Sequence, residues 1–229
     1  MQFIDYILDS PNVLTKSSCS KDCQFKDNHQ IPIVGIPTIN SIQGVIISRD
    51  PTTAFIEPYL LARLISQEDW HHKLMTADAP PQWVIKQIET FNQKYLEEDY
   101  KANIGQLKKL MENNIYWTHL HKCCTDKSAK EAPSFNAKNA RLCANKWLDK
   151  ELKEAIDAGA EFIICVGNDA RSWLQEWESG QDKTKIIPIF YLPHPSGAAN
   201  GAWNPKDIKK LDDLKNTIES LLRLSLNIS

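Results

Sequence analysis

Two short stretches of the sequence carry side chains that could take part in catalysis. The first is SRDPT, residues 48–52, in which Asp50 follows a short apolar run. The second is YLPHPSG, residues 191–197, in which prolines on both sides of His194 restrict its backbone. A carboxylate can orient or activate a water molecule, and a rigidly held imidazole can donate a hydrogen bond to charge on a leaving group. Each stretch alone is also compatible with an ordinary turn, so the prediction depends on whether the fold brings them together.

Four apolar runs rich in β-branched or aromatic residues predict the strands that would position these side chains. They are Val45–Ser48, Ile115–His119, Phe162–Val166 and Ile186–Leu192. Continuous apolar runs of this length are typical of buried parallel strands. Together with the helical patterns between them, they predict an α/β fold: a three-layer α/β/α sandwich with a central, mainly parallel four-stranded sheet.

The candidate residues fall at the predicted carboxyl ends of these strands. Asp50 follows the first strand, His119 ends the second, Gly167–Asn168 follow the third, and His194 follows the fourth. In open α/β sheets, ligands bind outside the carboxyl ends of the strands. The sequence therefore predicts a functional site at this edge.

Amphipathic periodicity predicts the helices that cover the sheet. We expect helices at Pro58–Gln67, Ala137–Ala158 and Asp169–Trp177, two more within Pro81–Met111, and a last one that runs to about Leu221. In the last helix, Asn204 is expected as the N-cap and Pro205 in the first turn, with Ile208 on the apolar face. We interpret residues 1–229 as a single domain with a helical insertion at about 70–113.

Composition and charge are ordinary for a globular protein: 42% of the residues are hydrophobic, 24% are charged, and the net charge is -2. The sequence has no apolar run of about 18 residues and no evident secretory signal, so we expect a cytoplasmic monomer without membrane association. The overall charge does not indicate a nucleic-acid partner, which would need a local basic patch. Between Lys122 and Lys153, eight Lys or Arg residues against four acidic ones could form such a patch or a solvated helix face.

In their order along the chain, these motifs resemble those of the uracil-DNA glycosylase superfamily. SRDPT resembles the water-activating loop, which reads Gly-Gln-Asp-Pro-Tyr in one branch and Gly-Glu-Ala-Pro-Gly in the iron–sulfur branch, and HPSG resembles the second motif, His-Pro-Ser. IYWTHLHKCC, residues 115–124, looks like the strand of the iron–sulfur branch, where an Asn precedes two apolar residues, Lys and Cys. Residues 140–170 are similar to its next segment, in which a Cys opens a helix and a strand ends in Leu-Gly-x-x-Ala.

The resemblance implies a DNA-repair glycosylase that hydrolyses the N-glycosidic bond of uracil or another damaged base, flipped out of single- or double-stranded DNA. Asp50 would orient the attacking water, and a neutral His194 would stabilise the departing base anion. The residues that would contact the substrate are Ser48, Arg49, Phe55, His119 and Ser196. Phe55 would stack on the base, and Ser196 would hold a neighbouring phosphate.

Three departures from the family pattern bear on the substrate. His119 stands where the family has a base-reading Asn, so hypoxanthine or another base is possible in place of uracil. Ser48 and Arg49 replace a glycine and its polar neighbour. No large apolar wedge follows Ser196, so Trp203 either serves as the wedge or packs in the core. The alternative functions are a catalytically silent iron–sulfur protein that binds nucleic acid on the same scaffold, and a hydrolase of a different N-glycosidic or phosphate substrate.

The six cysteines, without an export signal, favour metal binding or burial over disulfides. The resemblance implies a [4Fe–4S] cluster bound by Cys19, Cys23, Cys123 and Cys143. The first two cysteines are separated by three residues where the family has two, Cys124 is a competing ligand, and zinc is the alternative metal. Cys165 lies within an apolar strand and is interpreted as a buried thiol.

Overall fold

The computed structural model describes residues 35–36, 41–51, 80–101, 103–123, 135–182 and 187–228. Several predicted features lie outside these described residues. They are the helix Pro58–Gln67, the cluster ligands Cys19 and Cys23, and the stacking residue Phe55.

A five-stranded sheet forms the centre of the described chain, with the strand order β1-β3-β2-β4-β5. The strands are β1 (Gly35–Ile36), β2 (Gly44–Ser48), β3 (Ile115–His119), β4 (Phe162–Val166) and β5 (Ile189–Leu192). Strands β2 to β5 pair in parallel, and the two-residue β1 pairs antiparallel with β3. The predicted set of four parallel strands is confirmed. The edge strand β1 was not predicted, because two residues carry no periodicity.

The register of the strands aligns their carboxyl ends. Ser48, the last residue of β2, lies opposite His119, the last residue of β3. The pairing continues beyond the strands, because the backbone N–H groups of Leu120 and His121 donate to the carbonyl oxygens of Ser48 (2.8 Å) and Arg49 (2.9 Å). In the neighbouring pair of β4 and β5, the last residues of both strands also lie opposite each other, Val166 beside Leu192. The four strands therefore end at the same edge.

Two helical layers cover the sheet. The helices are α1 (Pro80–Tyr95), α2 (Glu98–Lys101), α3 (Ile104–Asn113), α4 (Ala137–Lys146), α5 (Leu148–Asp157), α6 (Asn168–Ser179), α7 (Asn200–Trp203) and α8 (Ile208–Asn227). Buried residues of α1, α3 and α8 pack on one face of the sheet, together with Ile46 and Trp117. Buried residues of α4, α5 and α6 pack on the other face, together with Val45 and Ile47. Because successive residues of a strand face opposite sides, each of the strands β2 to β5 supplies both cores, which confirms the three-layer sandwich.

Some helix boundaries differ from the predicted ones. The single helix expected at Ala137–Ala158 is divided at Trp147, whose backbone (φ -116°, ψ -51°) departs from helical geometry. The region Pro81–Met111 contains parts of three helices instead of two. Since α1 and α3 contribute buried residues to the first core, residues 80–113 are part of a helical layer. That they form an insertion relative to the family stays a prediction.

The predicted cap of the last helix is wrong. Asp207 is the N-cap, and its side chain accepts a hydrogen bond from the backbone N–H of Lys210 (2.9 Å). Asn204 instead follows α7, and its side chain accepts hydrogen bonds from Lys94 Nζ (2.8 Å) and from the Tyr95 hydroxyl. Because the helix starts three residues later than the predicted Pro205, Ile208 lies in its first turn and is 76% exposed.

Substitution of Gly44, the first residue of β2, probes how tightly β2 and β4 pack. A Cβ atom at this position would lie 2.4 Å from the ring of Phe162, which is fully buried on β4. We expect Gly44→Ala to lower the free energy of unfolding by about 1–3 kcal/mol, because the ring has to move within a packed core. Urea denaturation followed by circular dichroism measures this change.

Gly105 provides the matched control for this substitution. It lies in α3 with no atom within 4 Å of the position its Cβ would occupy. We expect Gly105→Ala to raise the free energy of unfolding by about 0.5–1 kcal/mol, since Ala favours the helix. Equal effects of the two substitutions would contradict the packing described for Gly44.

Candidate active site

Several predicted site residues lie at one edge of the sheet, where the carboxyl ends of the four parallel strands meet. The Trp117 indole donates a hydrogen bond to the Ser48 hydroxyl (3.2 Å), so both side chains lie on the face of the first core. By the alternation of strand residues, His119 follows on the same face as Trp117. The hydroxyl of Ser48, which was predicted to contact the substrate, therefore accepts a hydrogen bond from within the protein.

Asp50 is buried at the point where the chain leaves β2, and the buried Pro51 follows it. Arg49 Nε lies 2.5 Å from Asp50 Oδ1, which gives the buried carboxylate a charged partner. The guanidinium of Arg49 also lies 4.7 Å from the centre of the Phe135 ring. Arg49, predicted as a substrate contact, thus holds Asp50 while its own side chain remains 44% exposed.

His194 lies within the electrostatic reach of Asp50. Burial lowers the pKa of His194 below the ordinary value of 6.5, and the charge of Arg49 lowers it further. The carboxylates of Asp50 and Asp169 act in the opposite direction. Two motifs separated by more than 140 residues in the sequence therefore lie within electrostatic range of each other, and the local environment favours a neutral imidazole.

The tautomer of His194 follows from its own loop. The backbone N–H of Ser196 donates to His194 Nδ1 (3.2 Å), so Nδ1 is the acceptor and the proton of the neutral ring resides on Nε2. The imidazole can therefore donate one hydrogen bond through Nε2. Ser196, predicted to hold a phosphate, uses its backbone N–H to set this state.

Hydrogen bonds from two other elements fix the backbone of the His194 loop. The Trp203 indole donates to the His194 carbonyl oxygen (3.0 Å), and the Gln87 side chain of α1 donates to the Pro195 carbonyl oxygen (3.4 Å). Gly167, after β4, has a φ of 90°, and a Cβ built there would lie 3.6 Å from the His194 side chain. Trp203 is buried in the first core, so its role is to support the loop and not to act as a wedge.

His119 and His121 are both buried at the end of β3. Burial lowers the pKa of His119 well below 6.5, and the charges of Lys122 and His121 lower it further. Burial also lowers the pKa of His121, whereas the charge of Asp50 raises it, which places the two side chains close together. His121 Nδ1 donates to the carbonyl oxygen of Cys123 (3.0 Å). The sequence prediction missed His121, although its spacing of two from His119 was an available signal.

Two of the four predicted cluster ligands lie in the described part of the chain. Cys123 is buried after β3, and Cys143 is half-buried in α4. The backbone N–H of Lys122 donates to Cys143 Sγ (3.5 Å), which brings the Cys143 sulfur next to the chain at Cys123. Donation from a backbone N–H to sulfur suits a thiolate ligand of an iron–sulfur cluster. Within the described ranges no three His, Cys, Asp or Glu side chains form a metal-binding group, so the remaining ligands would have to come from elsewhere in the chain.

Three of the eight basic residues between Lys122 and Lys153 are paired with acidic side chains. Lys122 is buried against Glu151, and Arg141 makes two hydrogen bonds to the carboxylate of Glu176 (2.5 and 2.7 Å). Lys153 lies 2.9 Å from Asp149. The positive charge that this region presents to solvent is therefore smaller than the sequence count indicates.

The comparison with protein families concerns a segment that includes all the described site residues. The chain matches the model of the uracil DNA glycosylase superfamily over residues 45–221, a span that runs from β2 into α8 and includes all the strand ends described above. The chain therefore belongs to the uracil DNA glycosylase superfamily. No curated protein matches the chain. None of the helices in the described ranges has the length and apolarity that a membrane crossing requires.

The lowered pKa values of His119 and His194 predict acid sensitivity of the fold. Unfolded histidines bind protons with a pKa of about 6.5, whereas these two bind protons in the folded protein only at lower pH. The unfolded state therefore binds more protons below about pH 6.5, and the free energy of unfolding decreases as the pH falls through this range. Urea denaturation at several pH values between 8 and 5 measures the effect.

His119→Asn isolates the contribution of one imidazole to this pH dependence. The variant should lose less stability than the wild type on acidification, because the titrating group is removed. An identical or steeper pH dependence in the variant would contradict the inferred neutral state of His119.

Proposed function

We propose that the protein is a monofunctional DNA glycosylase that hydrolyses the N-glycosidic bond of uracil or another damaged base flipped out of DNA. The observation that carries this proposal is the convergence of a buried Asp50 with a His194 whose environment favours the neutral, Nε2-protonated form. Membership of the uracil DNA glycosylase superfamily supports the same reaction class. Flipping is required because the bond to be broken is inaccessible within the stacked duplex.

In the proposed mechanism, Asp50 orients a water molecule toward the sugar carbon C1′. The water oxygen forms a bond to C1′, and a water proton passes to the carboxylate. The bond from C1′ to the base nitrogen breaks, and its electron pair leaves with the base. His194 Nε2 donates a hydrogen bond to the oxygen of the base on which negative charge develops. Arg49 fixes the Asp50 carboxylate through Oδ1 (2.5 Å), so the acceptor does not have to reorganise during the reaction.

We propose that His119 contacts the base. A neutral imidazole presents one donor and one acceptor in different directions, whereas an amide presents both side by side. The burial of His119 means that a base in contact with it would be shielded from water, which strengthens the discrimination between matching and unmatched groups. The preferred base is therefore one whose edge matches an imidazole, and uracil is one candidate among damaged bases.

We further propose that Cys19, Cys23, Cys123 and Cys143 bind a [4Fe–4S] cluster, with zinc as the alternative metal. The convergence of Cys143 with the chain at Cys123 supports a shared ligand set. A bound cluster would tie the amino-terminal segment to the sheet domain. The protein would act as a cytoplasmic monomer on DNA.

A catalytically silent DNA-binding protein is the second candidate. It is favoured by two observations: the Asp50 carboxylate is engaged by Arg49, and the family's base-reading amide is replaced by His119. Such a protein would bind DNA with a strong dependence on salt but would generate no abasic sites.

Oligonucleotides that each carry one damaged base test the proposed reaction. We expect the wild type to release at least one base and to leave an alkali-labile abasic site. Asp50→Asn and His194→Ala should each lower the single-turnover rate by about 10²–10⁴-fold, the usual contribution of acid–base groups. Asp157→Asn, at the exposed end of α5, is the control and should retain the wild-type rate.

Two outcomes of this experiment would contradict the proposal. Undiminished base release by the Asp50→Asn/His194→Ala double variant would remove both residues from the mechanism. DNA binding without an abasic product from any base would favour the silent DNA-binding protein.

The cluster proposal predicts a brown protein after anaerobic purification, with broad absorption at about 400 nm and bound iron and sulfide. Cys123→Ser and Cys143→Ser should each reduce this absorption and the iron content. Cys165→Ser is the control, because burial in β4 raises the pKa of the Cys165 thiol to about 12 and leaves it protonated. A colourless protein with stoichiometric zinc would contradict the iron assignment.

A further inference from the structure

Lys122 and Glu151 form an ion pair in the protein interior, between the end of β3 and helix α5. Lys122 Nζ lies 2.7 Å from Glu151 Oε2, and the two side chains are 1% and 0% exposed. The Thr118 hydroxyl accepts a hydrogen bond from Lys122 Nζ (2.6 Å) and donates one to Glu151 Oε2 (2.6 Å). The carboxyl group of Glu151 is also hydrogen-bonded by the side chain of Tyr116.

This network holds the chain on both sides of the two site histidines. Thr118 precedes His119, and Lys122 follows His121. Because the side chains of Thr118 and Lys122 end on the same oxygen, Glu151 Oε2, the three residues between them are tied at both ends. A change in the ion pair would therefore act first on the segment 119–121, whose backbone is also held by the hydrogen bonds of Leu120 and His121 to Ser48 and Arg49.

The charge of Lys122 reaches both imidazoles. After burial, it is the largest of the causes that lower the pKa of His119. It also lowers the pKa of His121, where burial is again the main cause. Lys122 is thus close to both rings, although its ammonium group is directed toward Glu151.

Stability alone does not account for this ion pair. Removing two charges from water is costly, and apolar replacement of buried ion pairs is often neutral or stabilising. The neighbouring structure is apolar, because the helix that carries Glu151 contributes Leu148 and Leu152 to the second core, together with Val45 and Ile47 of β2. An apolar pair could fill this space, but it could not hold the Thr118 hydroxyl and the chain at Lys122 on one atom.

We propose that the Lys122–Glu151 ion pair is a positioning device that holds the segment His119–His121 so that both imidazoles border the candidate active site beside Asp50. The expected effect on base release rests on the proposed glycosylase function, whereas the expected effect on the positions of the two histidine rings does not. Lys122 and Glu151 are positioning residues, because they act through Thr118 and the intervening backbone.

The double variant Lys122→Met/Glu151→Leu tests the proposal by replacing the ion pair with apolar side chains. We expect the melting temperature to be maintained or raised. We also expect single-turnover base release to fall by about 10²-fold, with little change in the Kd for DNA, since a misplacement of about 1 Å in an active site can cost this much. Lys153→Met is the control, because it removes an exposed ion pair from the same helix and should retain the wild-type rate.

A second variant and a second measurement distinguish failure of the positioning role from failure of the proposed glycosylase function. Glu151→Gln retains the side-chain length and an acceptor for Thr118 but leaves the buried Lys122 without its counter-charge, so it should lower the melting temperature while causing a smaller loss of base release than the double variant. Crystal structures of the wild type and the double variant should show the rings of His119 and His121 displaced. Wild-type base release by a folded double variant, or unmoved rings, would overturn the proposal. A wild type that releases no base would remove the proposed function, while displaced rings would still support the positioning role.

Discussion

Parallel pairing of β2 with both β3 and β4 determines where the side chains of the candidate site lie. Parallel strands in register end at the same level, so the residues that follow β2, β3, β4 and β5 are brought to one edge. The hydrogen bonds of Leu120 and His121 to the carbonyl oxygens of Ser48 and Arg49 extend this alignment past the last residues of the strands. The helical layers then close the two faces of the sheet and leave this edge as the place where polar side chains gather.

Burial at this edge sets the chemistry that the site can perform. Three imidazoles have lowered pKa values, and burial is the largest cause in each case. Neutral rings keep defined donor and acceptor atoms, as the contacts of His194 with Ser196 and of His121 with Cys123 show. The buried carboxylate of Asp50 has its counter-charge in Arg49. A neutral donor opposite a charged acceptor is the arrangement that hydrolysis with an anionic leaving group requires.

The sequence predicted those parts of the fold in which local pattern and burial agree. The apolar runs of β2, β3 and β4 are buried on both faces, and for this reason their apolar character predicted the bounds of these strands to within one residue. The N-cap of α8 was assigned wrongly because both Asn204 and Asp207 are good capping residues, and only the tertiary contacts of Asn204 with Lys94 and Tyr95 distinguish them. The burial of Lys122 against Glu151 was likewise invisible, because the two residues are joined across elements and a lysine in isolation indicates a solvated surface.

In the proposed function, Asp50 and His194 act on one nucleotide at the carboxyl edge of the sheet. The decisive experiment is a crystal structure of the wild-type protein with an oligonucleotide that contains a hydrolysis-resistant 2′-fluoro analogue of a released nucleotide. We expect one flipped nucleotide whose C1′ faces the Asp50 carboxylate and whose base oxygen accepts a hydrogen bond from His194 Nε2. A stacked nucleotide with DNA bound on another surface, or a flipped base out of reach of both side chains, would contradict it.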